Sequence, residues 1–245
     1  MAVTMRNVTG IWGHRGASAE APENTLQAFR LAFEQGADGI ELDVQRTRDG
    51  VLVVCHDETI ERTSDGSGSI AELTFQQLRR HDFSNGRPGY AQVPIPTLTE
   101  VLELVSGTDR VVNIELKNSI VAYPGMEAEV EALVNEFGLS PQIWYSSFNH
   151  HSLVRLAALG TGAGLGVLYA EQLVRPWQYA TGFGASALHP MALTVDSEMV
   201  AEAHRAGLRV HPWTVDDPEA IAALAQMGVD AIITNRPALA RGILG

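Results

Sequence analysis

The residues with the clearest chemical potential are acids and bases at the ends of short apolar runs, each typical of a β-strand. A strand turns alternate side chains to the same face, so Glu41 and Asp43 share one face of their run. In the same way, Glu115 and Lys117 share one face of a second run. Burying so many ionisable groups among apolar side chains is costly unless they contact a cation or one another. The pattern therefore predicts an active site where the ends of these strands meet.

Histidines and an arginine stand at the ends of two further runs. His14 and Arg15 follow the first apolar run of the chain, and His56 lies near the end of the run at 51–57. Imidazole has an unperturbed pKa of about 6.5, so it can serve as an acid or as a base near neutral pH. Acids, histidines and bases that converge on one face indicate a catalytic centre.

The charge balance limits the partners that this chain can bind. The sequence has 245 residues with 29 acids and 17 bases, which gives a net charge of −12. A nucleic-acid-binding protein needs a clustered basic surface, and the sequence contains no basic run. The same charge disfavours docking on anionic lipid, and no segment approaches the roughly 18 uninterrupted apolar residues of a membrane span. We therefore expect no nucleic-acid partner and no stable membrane anchoring.

Two further features bear on the location of the protein in the cell. Residues 1–6 lack the apolar segment of a signal peptide. The single cysteine, Cys55, permits no internal disulfide and is expected to be a small buried hydrophobe. These features predict a cytoplasmic protein.

Strand patterns and helix patterns alternate along the chain, which predicts a parallel sheet covered by helices. Residues 24–27 predict a capping box at the first helix, with Glu23 and Asn24 as cap and turn residues. The candidate strands lie at 11–16, 39–44, 51–57, 111–117, 143–146, 164–168, 185–189, 208–213 and 231–234. Because functional side chains end at least four of them, the pattern favours a closed (β/α)8 TIM-type barrel over an open sheet. There are nine candidate strands for the eight strand positions of such a barrel. The surplus strand should lie near the short connection at 44–50.

Residues 57–95 interrupt this alternation with a Ser/Asp/Gly loop at 64–69, a short helix near 74–80 and a Gly- and Pro-rich stretch. A long segment of this kind in a compact domain is usually either functional or disordered. Because the segment begins next to His56, we expect it to cover the site. The predicted organisation is a single catalytic barrel domain over residues 1–245, with 57–95 as a small cap insertion after the third strand.

Short motifs along the chain closely resemble those of the glycerophosphodiester phosphodiesterase family. The first are His14-Arg15-Gly16, Glu41-Leu42-Asp43 and His56-Asp57. Further family-like segments, in family order, are Pro22-Glu23-Asn24-Thr25, Glu61-Arg62-Thr63, Ile95-Pro96-Thr97-Leu98, Glu115-Leu116-Lys117, Ser147-Phe148, Trp213-Thr214-Val215 and Thr234-Asn235-Arg236-Pro237. One departure is Asp216, where family members often carry asparagine. We interpret Asp216 as bearing on contacts at the rim of the site rather than on chemistry.

The resemblance implies a (β/α)8 barrel that hydrolyses glycerophosphodiesters to glycerol 3-phosphate and an alcohol with one divalent cation. The implied site has Glu41, Asp43 and Glu115 as metal ligands, His14 and His56 as the acid–base pair, Arg15 and Lys117 on the phosphate, and Phe148 and Trp213 on the alcohol. Such cleavage needs a Lewis acid on a non-bridging oxygen, a base for the nucleophile and an acid for the leaving alkoxide. Ligands that are all oxygens suit Ca²⁺ or Mg²⁺, whereas a zinc site more often recruits cysteine or histidine.

Alternatives to these assignments remain open from the sequence. A lysophospholipase D-like hydrolase would need an apolar groove beside the site, whereas a non-catalytic phosphodiester-binding protein would not need both histidines. Glu115 could instead form a buried ion pair, and His189 and His211 could either pack in the core or contact substrate. Asp57 could orient His56 or hold the following loop, and we favour the loop. The sequence also leaves homo-oligomer formation open.

Overall fold

A computed structural model describes residues 9–245, so the prediction made for residues 1–6 lies outside the described part of the chain. The strands are β1 (Gly10–His14), β2 (Gly39–Arg46), β3 (Leu52–Val54), β4 (Val111–Leu116), β5 (Ile143–Ser147), β6 (Gly164–Tyr169), β7 (Ala187–Pro190), β8 (Arg209–Val210) and β9 (Ala231–Thr234). The helices are α1 (Leu26–Glu34), α2 (Phe75–Leu78), α3 (Leu98–Val105), α4 (Met126–Phe137), α5 (His150–Leu159), α6 (Pro176–Thr181), α7 (Ser197–Arg205), α8 (Pro218–Met227) and α9 (Pro237–Leu244). Across residues 9–245, none of the helices has the length and apolar character needed to cross a lipid bilayer.

Eight parallel strands within residues 9–245 form a barrel, in the order β8, β7, β6, β5, β4, β2, β1 and β9. The two end strands are joined by hydrogen bonds from the backbone N–H of Asp230 to the carbonyl of Val210, at 2.9 Å, and from Ile233 to Pro212, at 3.0 Å. Helices cover the outside of the sheet. The predicted (β/α)8 barrel is confirmed.

Strand β3 is the surplus strand that the sequence placed near 44–50. It pairs antiparallel with β2 and lies outside the order of the barrel. The intervening turn is tight, because the N–H of Thr47 donates to the carbonyl of Val51 at 3.0 Å and Gly50 has a φ of 87°. The insertion at 57–95 therefore follows a hairpin on β2 and interrupts the crossover from β2 to β4.

The helix boundaries follow local capping chemistry in most cases. Thr97 and Glu100 form a capping box at α3, and α4 ends at Gly138, whose φ of 67° is left-handed. The capping box expected at residues 24–27 is wrong. Thr25 is the N-cap of α1 and accepts from the N–H of Ala28, whereas Asn24 turns its side chain into the barrel.

Aromatic and imidazole rings fill the barrel interior below the strand ends. The ring of His211 lies 4.5 Å from that of Trp12 and 4.8 Å from that of Trp144, centroid to centroid. His211 Nδ1 lies 2.9 Å from His189 Nε2, and both histidines are buried. Burial lowers the pKa of His189 to about 3. Of the two roles left open for these histidines, packing in the core is the one found.

Gly166 on β6 provides the space that the His189 ring occupies, because a Cβ at this position would overlap the imidazole. We expect Gly166→Ala to lower the free energy of unfolding by about 1–3 kcal/mol, since a closely packed core accommodates an added methyl group only with strain. The matched control is Gly242→Ala in α9, where a Cβ would have no atom within 4 Å. Urea unfolding should show a loss for the first variant and none for the second. Equal midpoints would contradict this account of the barrel interior.

The insertion at 57–95 packs around a second apolar core, to which β3 and the residue after it also contribute. This core consists of Val53, Cys55, Ile60, Ile70, Leu78, Phe83 and Ile95. Burial raises the pKa of the Cys55 thiol to about 12, as expected for a packed side chain rather than a nucleophile. The insertion also contacts the loop after β1, where the guanidinium of Arg87 donates to the carbonyls of Ser18 and Ala19. That the segment caps the site remains a prediction.

Candidate active site

Strand register brings the predicted acids and histidines to one end of the barrel. β1 pairs with β2 so that His14 lies opposite Glu41. β2 pairs in turn with β4, so that Asp43 lies opposite Glu115. Since all three strands are parallel, their carboxyl ends meet at the same rim, where catalytic residues of such barrels are found.

Glu41, Asp43 and Glu115 form a buried cluster with one carboxylate oxygen from each within 4.8 Å of the others. Burial, together with the charges of Asp43 and Glu115, raises the pKa of Glu41 well above its usual range. Burial and the charge of Asp43 raise the pKa of Glu115 to about 7. Burial alone would raise the pKa of Asp43 as well, but the neighbouring positive charges, of which Arg15 has the largest effect, outweigh burial and lower that pKa.

Two bases partly neutralise these acids. Lys117 Nζ lies 3.0 Å from Glu115 Oε1 and 4.0 Å from Asp43 Oδ1, while Arg15 Nε lies 3.3 Å from Asp43 Oδ2. The backbone N–H of Arg15 also donates to Glu41 at 2.9 Å. Glu115 therefore does form the ion pair that the sequence left open, but this pairing does not satisfy the whole cluster.

Asp43 Oδ1 is buried and has no hydrogen-bond partner within the described residues, and Lys117 Nζ approaches it only to 4.0 Å. A buried carboxylate oxygen without a partner is costly, and a bound cation would satisfy it. Three acids face two bases, and the raised pKa values of Glu41 and Glu115 mean that these carboxyls hold protons where no cation offsets their charge. The donor set fits a hard divalent cation, because every available ligand atom is a carboxylate oxygen.

His14 lies beside the acid cluster, with Nε2 at 4.0 Å from Glu41 Oε2. Its other ring nitrogen, Nδ1, lies 2.7 Å from Asn235 Oδ1. Burial, helped by the positive charge of Arg15, lowers the pKa of His14 to about 4. The imidazole is therefore neutral at physiological pH in this arrangement of side chains.

His56 is held by a chain of charged side chains that crosses from the insertion to the loop after β1. His56 Nδ1 lies 2.6 Å from Asp57 Oδ1, and Arg62 Nε donates to Asp57 Oδ2 at 2.6 Å. Arg62 also binds Glu23, which in turn accepts from Arg15 at 2.9 Å. Hydrogen bonds from Arg62 and His56 lower the pKa of Asp57, so the carboxylate stays charged.

These contacts change three local expectations. Asp57 contacts His56 directly and also accepts from Arg62 in the loop that follows, so it has both of the roles that the sequence left open. Glu23 is not a cap, because it joins Arg15 to Arg62. Asn24, which has a left-handed φ of 56°, donates its side-chain amide to Asp43 Oδ2 at 2.8 Å.

Gln45 is a site residue that the sequence reasoning missed. Its amide nitrogen donates to the carbonyls of Cys55, His56 and Asp57 at 2.5–3.2 Å, which fixes the backbone that carries His56. Strand alternation contained the signal, because Gln45 follows Asp43 by two residues and so points to the same face of β2.

The site opens into a narrow cavity of about 50 Å³. Its lining residues are His14, Arg15, Glu41, His56, Asn113, Glu115, Phe148, Leu168, Trp213 and Ile233. Seven of the nine predicted site residues belong to this lining, and the other two, Asp43 and Lys117, contact Glu115 or Arg15 directly. Phe148 and Trp213 meet edge to face with ring centroids 5.6 Å apart, so the lining combines an aromatic pair with charged side chains.

A larger groove of about 580 Å³ lies between α4 and α5, outside the barrel. Its charged groups, Glu127 and Arg155, pair with each other at 2.9 Å. Asn118 at its inner edge donates to Ser152 and Glu127. These polar groups hold one another and offer no acid–base pair, so the strand-end cavity is the stronger candidate for chemistry.

Comparison with known proteins shows similarity to one family along nearly the whole barrel. A model of the glycerophosphoryl diester phosphodiesterase family matches residues 14–239. A glycerophosphodiester phosphodiesterase of Caldanaerobacter subterraneus subsp. tengcongensis is 42% identical over 230 residues, which cover 94% of this chain and 95% of that protein.

Two solved structures are similar over nearly the full length. A glycerophosphodiester phosphodiesterase from Agrobacterium tumefaciens has a TM-score of 0.84 at 30% identity, covering 96% of this chain and 99% of the other. A phosphodiesterase from Oleispira antarctica, solved in complex with the product sn-glycerol-3-phosphate, has a TM-score of 0.86 at 30% identity. That match covers 97% of each chain.

Proposed function

Because the chain belongs to the glycerophosphoryl diester phosphodiesterase family and is a glycerophosphodiester phosphodiesterase, we propose that it releases glycerol 3-phosphate and a free alcohol at the strand-end cavity. The observation that carries this proposal is the buried Asp43 Oδ1, which has no hydrogen bond, in a carboxylate cluster that adjoins the cavity lined by both histidines. We place the activity in one catalytic domain over residues 1–245, with 57–95 as its cap.

Glu41, Asp43 and Glu115 would hold one divalent cation, Ca²⁺ or Mg²⁺. When bound, the cation would polarise a non-bridging oxygen of the phosphate and offset the charge that develops on it. Neighbouring side chains hold the Asp43 carboxylate in place, since Asn24 and Arg15 contact Oδ2 and leave Oδ1 without a hydrogen bond.

Arg15 and Lys117 would bind the phosphate. Arg15 can offer two parallel donors to phosphate oxygens, and Lys117 adds a point charge beside the acid cluster. Glu23 accepts from Arg15 at 2.9 Å and so restricts the orientation of the guanidinium before substrate arrives. These cations also help to overcome the repulsion between an anionic diester and a chain of net charge −12.

His14 and His56 would divide the two proton transfers, one accepting a proton from the nucleophile and the other donating one to the leaving alkoxide. His56 Nδ1 is occupied by Asp57, so Nε2 is the atom that can exchange a proton with substrate. Phe148 and Trp213 would contact the alcohol part, because they form the apolar wall of the cavity.

A lysophospholipase D-like activity is the second candidate, because apolar side chains are exposed at the same end of the barrel. Phe148, Val174 and Leu193, which follow β5, β6 and β7, are 42%, 90% and 91% exposed. An acyl chain that left the cavity past Phe148 would reach this part of the rim.

Glycerophosphocholine and lysophosphatidylcholine separate the two candidates. We expect kcat/KM for glycerophosphocholine to be higher by about tenfold or more, because the enclosed space of about 50 Å³ favours a small substrate. Product analysis should find glycerol 3-phosphate and choline. Equal or faster turnover of lysophosphatidylcholine would favour the second candidate, and release of phosphocholine would show that the wrong ester bond had been assigned.

A further inference from the structure

Asp216 lies in a chain of hydrogen bonds that ends at His14. Its Oδ1 accepts from the backbone N–H of Asn235 at 2.8 Å and from the hydroxyl of Thr234 at 2.9 Å. Its Oδ2 accepts from the side-chain amide of Asn235 at 2.5 Å. The two oxygens therefore hold both the backbone and the side chain of Asn235.

This double contact fixes which way the amide of Asn235 points. An ionised carboxylate can only accept hydrogen bonds, so the NH₂ group of Asn235 must face Asp216. The amide oxygen then faces the other way, towards His14 Nδ1 at 2.7 Å and the hydroxyl of Ser18 at 2.7 Å. An amide oxygen is also acceptor-only, so the imidazole nitrogen that meets it must carry a proton.

We propose that Asp216 is a positioning residue that acts through Asn235 to hold His14 with its proton on Nδ1. Nε2, which faces the acid cluster at 4.0 Å from Glu41, then presents a lone pair to the cavity. This inference rests on the proposed role of His14 in proton transfer, and it adds a residue whose contacts with His14 are indirect.

The alternative tautomer shows why this position matters. If the amide of Asn235 rotated by half a turn, its NH₂ group would face His14 Nδ1, and the ring proton would move to Nε2. His14 would then present a donor instead of an acceptor to the cavity. In this structure the carboxylate of Asp216 opposes that rotation, because the amide oxygen would meet an acceptor.

The test compares Asp216→Ala and Asp216→Asn with the parent. In Asp216→Ala both acceptors are lost, so we expect kcat to fall by about tenfold or more with little change in KM. Asp216→Asn keeps the volume but turns one acceptor into a donor, so we expect a smaller fall in kcat. This variant provides the test if Asp216→Ala does not fold. The matched control is Asp217→Ala, the neighbouring residue that caps α8 by accepting from Ala220. It should lose stability without losing kcat.

The ring itself provides a second readout that a merely structural role would not change. The ¹⁵N chemical shifts of labelled histidine report which ring nitrogen carries the proton, and the His14 signals are assigned by their absence in His14→Gln. We expect a proton on Nδ1 in the parent and in Asp217→Ala, and a shift towards Nε2 in both Asp216 variants.

An Nε2-protonated His14 in the parent, or unchanged tautomer and kcat in both Asp216 variants, would overturn the proposal. Failure of the proposed function would look different. The parent would then not hydrolyse glycerophosphocholine, while the tautomer measurement would still report on Asp216.

Discussion

Exhaustive chelation of divalent cations should abolish hydrolysis and lower the melting temperature. When ionised, the buried carboxylates of Glu41, Asp43 and Glu115 repel one another, and Asp43 Oδ1 has no hydrogen-bond partner within the described residues. A ligand that binds only the folded state stabilises it by about 2.7 kcal/mol at a hundredfold excess over its dissociation constant. For a domain of this size, that corresponds to a melting shift of roughly 5–10 °C.

Asp43→Asn is the variant that links the melting shift to this site. Removing one negative charge from the cluster should weaken cation binding, so chelation should no longer shift the melting temperature of this variant. The control is Glu131→Gln, a buried acid on α4 that accepts from the hydroxyl of Tyr145 at 2.9 Å and lies outside the cluster. It should keep the parent's response to chelation and to added Ca²⁺ or Mg²⁺. Full activity and an unchanged melting temperature after chelation would remove the cation from the mechanism.

The repeating geometry of strands made much of this site predictable from sequence. Side chains two residues apart share a face, so the spacing of Glu41 and Asp43 fixed their common direction before any tertiary contact was known. Apolar runs that alternate with helix patterns then required a parallel sheet, and closure into a barrel brings the strand ends together. The acids, histidines and bases could therefore be grouped correctly although their partners lie far away in the chain.

Which strands pair with each other was harder to predict than which side chains share a face of a strand. Residues 51–57 have the same apolar pattern as a barrel strand. The local sequence does not indicate that β3 pairs antiparallel with β2. The one usable signal was the length of the 44–50 connection, which is too short for a crossover helix. It located the surplus strand near this hairpin but did not identify it.

Side-chain roles that depend on distant partners could not be predicted. Glu23 and Asn24 have the residue types of a turn and a helix cap, and only the fold brings Asn24 to Asp43, 19 residues away. Asp216 was interpreted as a rim residue, because its connection to His14 passes through Asn235, which lies 221 residues from His14 in sequence. Polar contacts over such separations leave no periodic pattern in a single sequence.

Replacement of either histidine of the proposed acid–base pair should lower kcat by roughly 10²–10⁴-fold, the usual contribution of a positioned acid or base. His14→Ala removes the imidazole beside Glu41, and His56→Ala removes the one held by Asp57. Steady-state kinetics with glycerophosphocholine measure the effect. His151→Ala is the control, because His151 is exposed on α5 and away from the cavity lining.

The double variant provides the sharper test of whether the two histidines serve one reaction. Groups that act as a unit give non-additive losses of kcat. The variant that lacks both histidines should therefore have a kcat only slightly below that of the less active single variant. Independent roles would instead multiply the two losses. Melting temperatures close to the parent's would show that the loss is chemical rather than structural. If both single variants fold normally and keep near-normal kcat, the assignment of His14 and His56 as the acid–base pair is wrong.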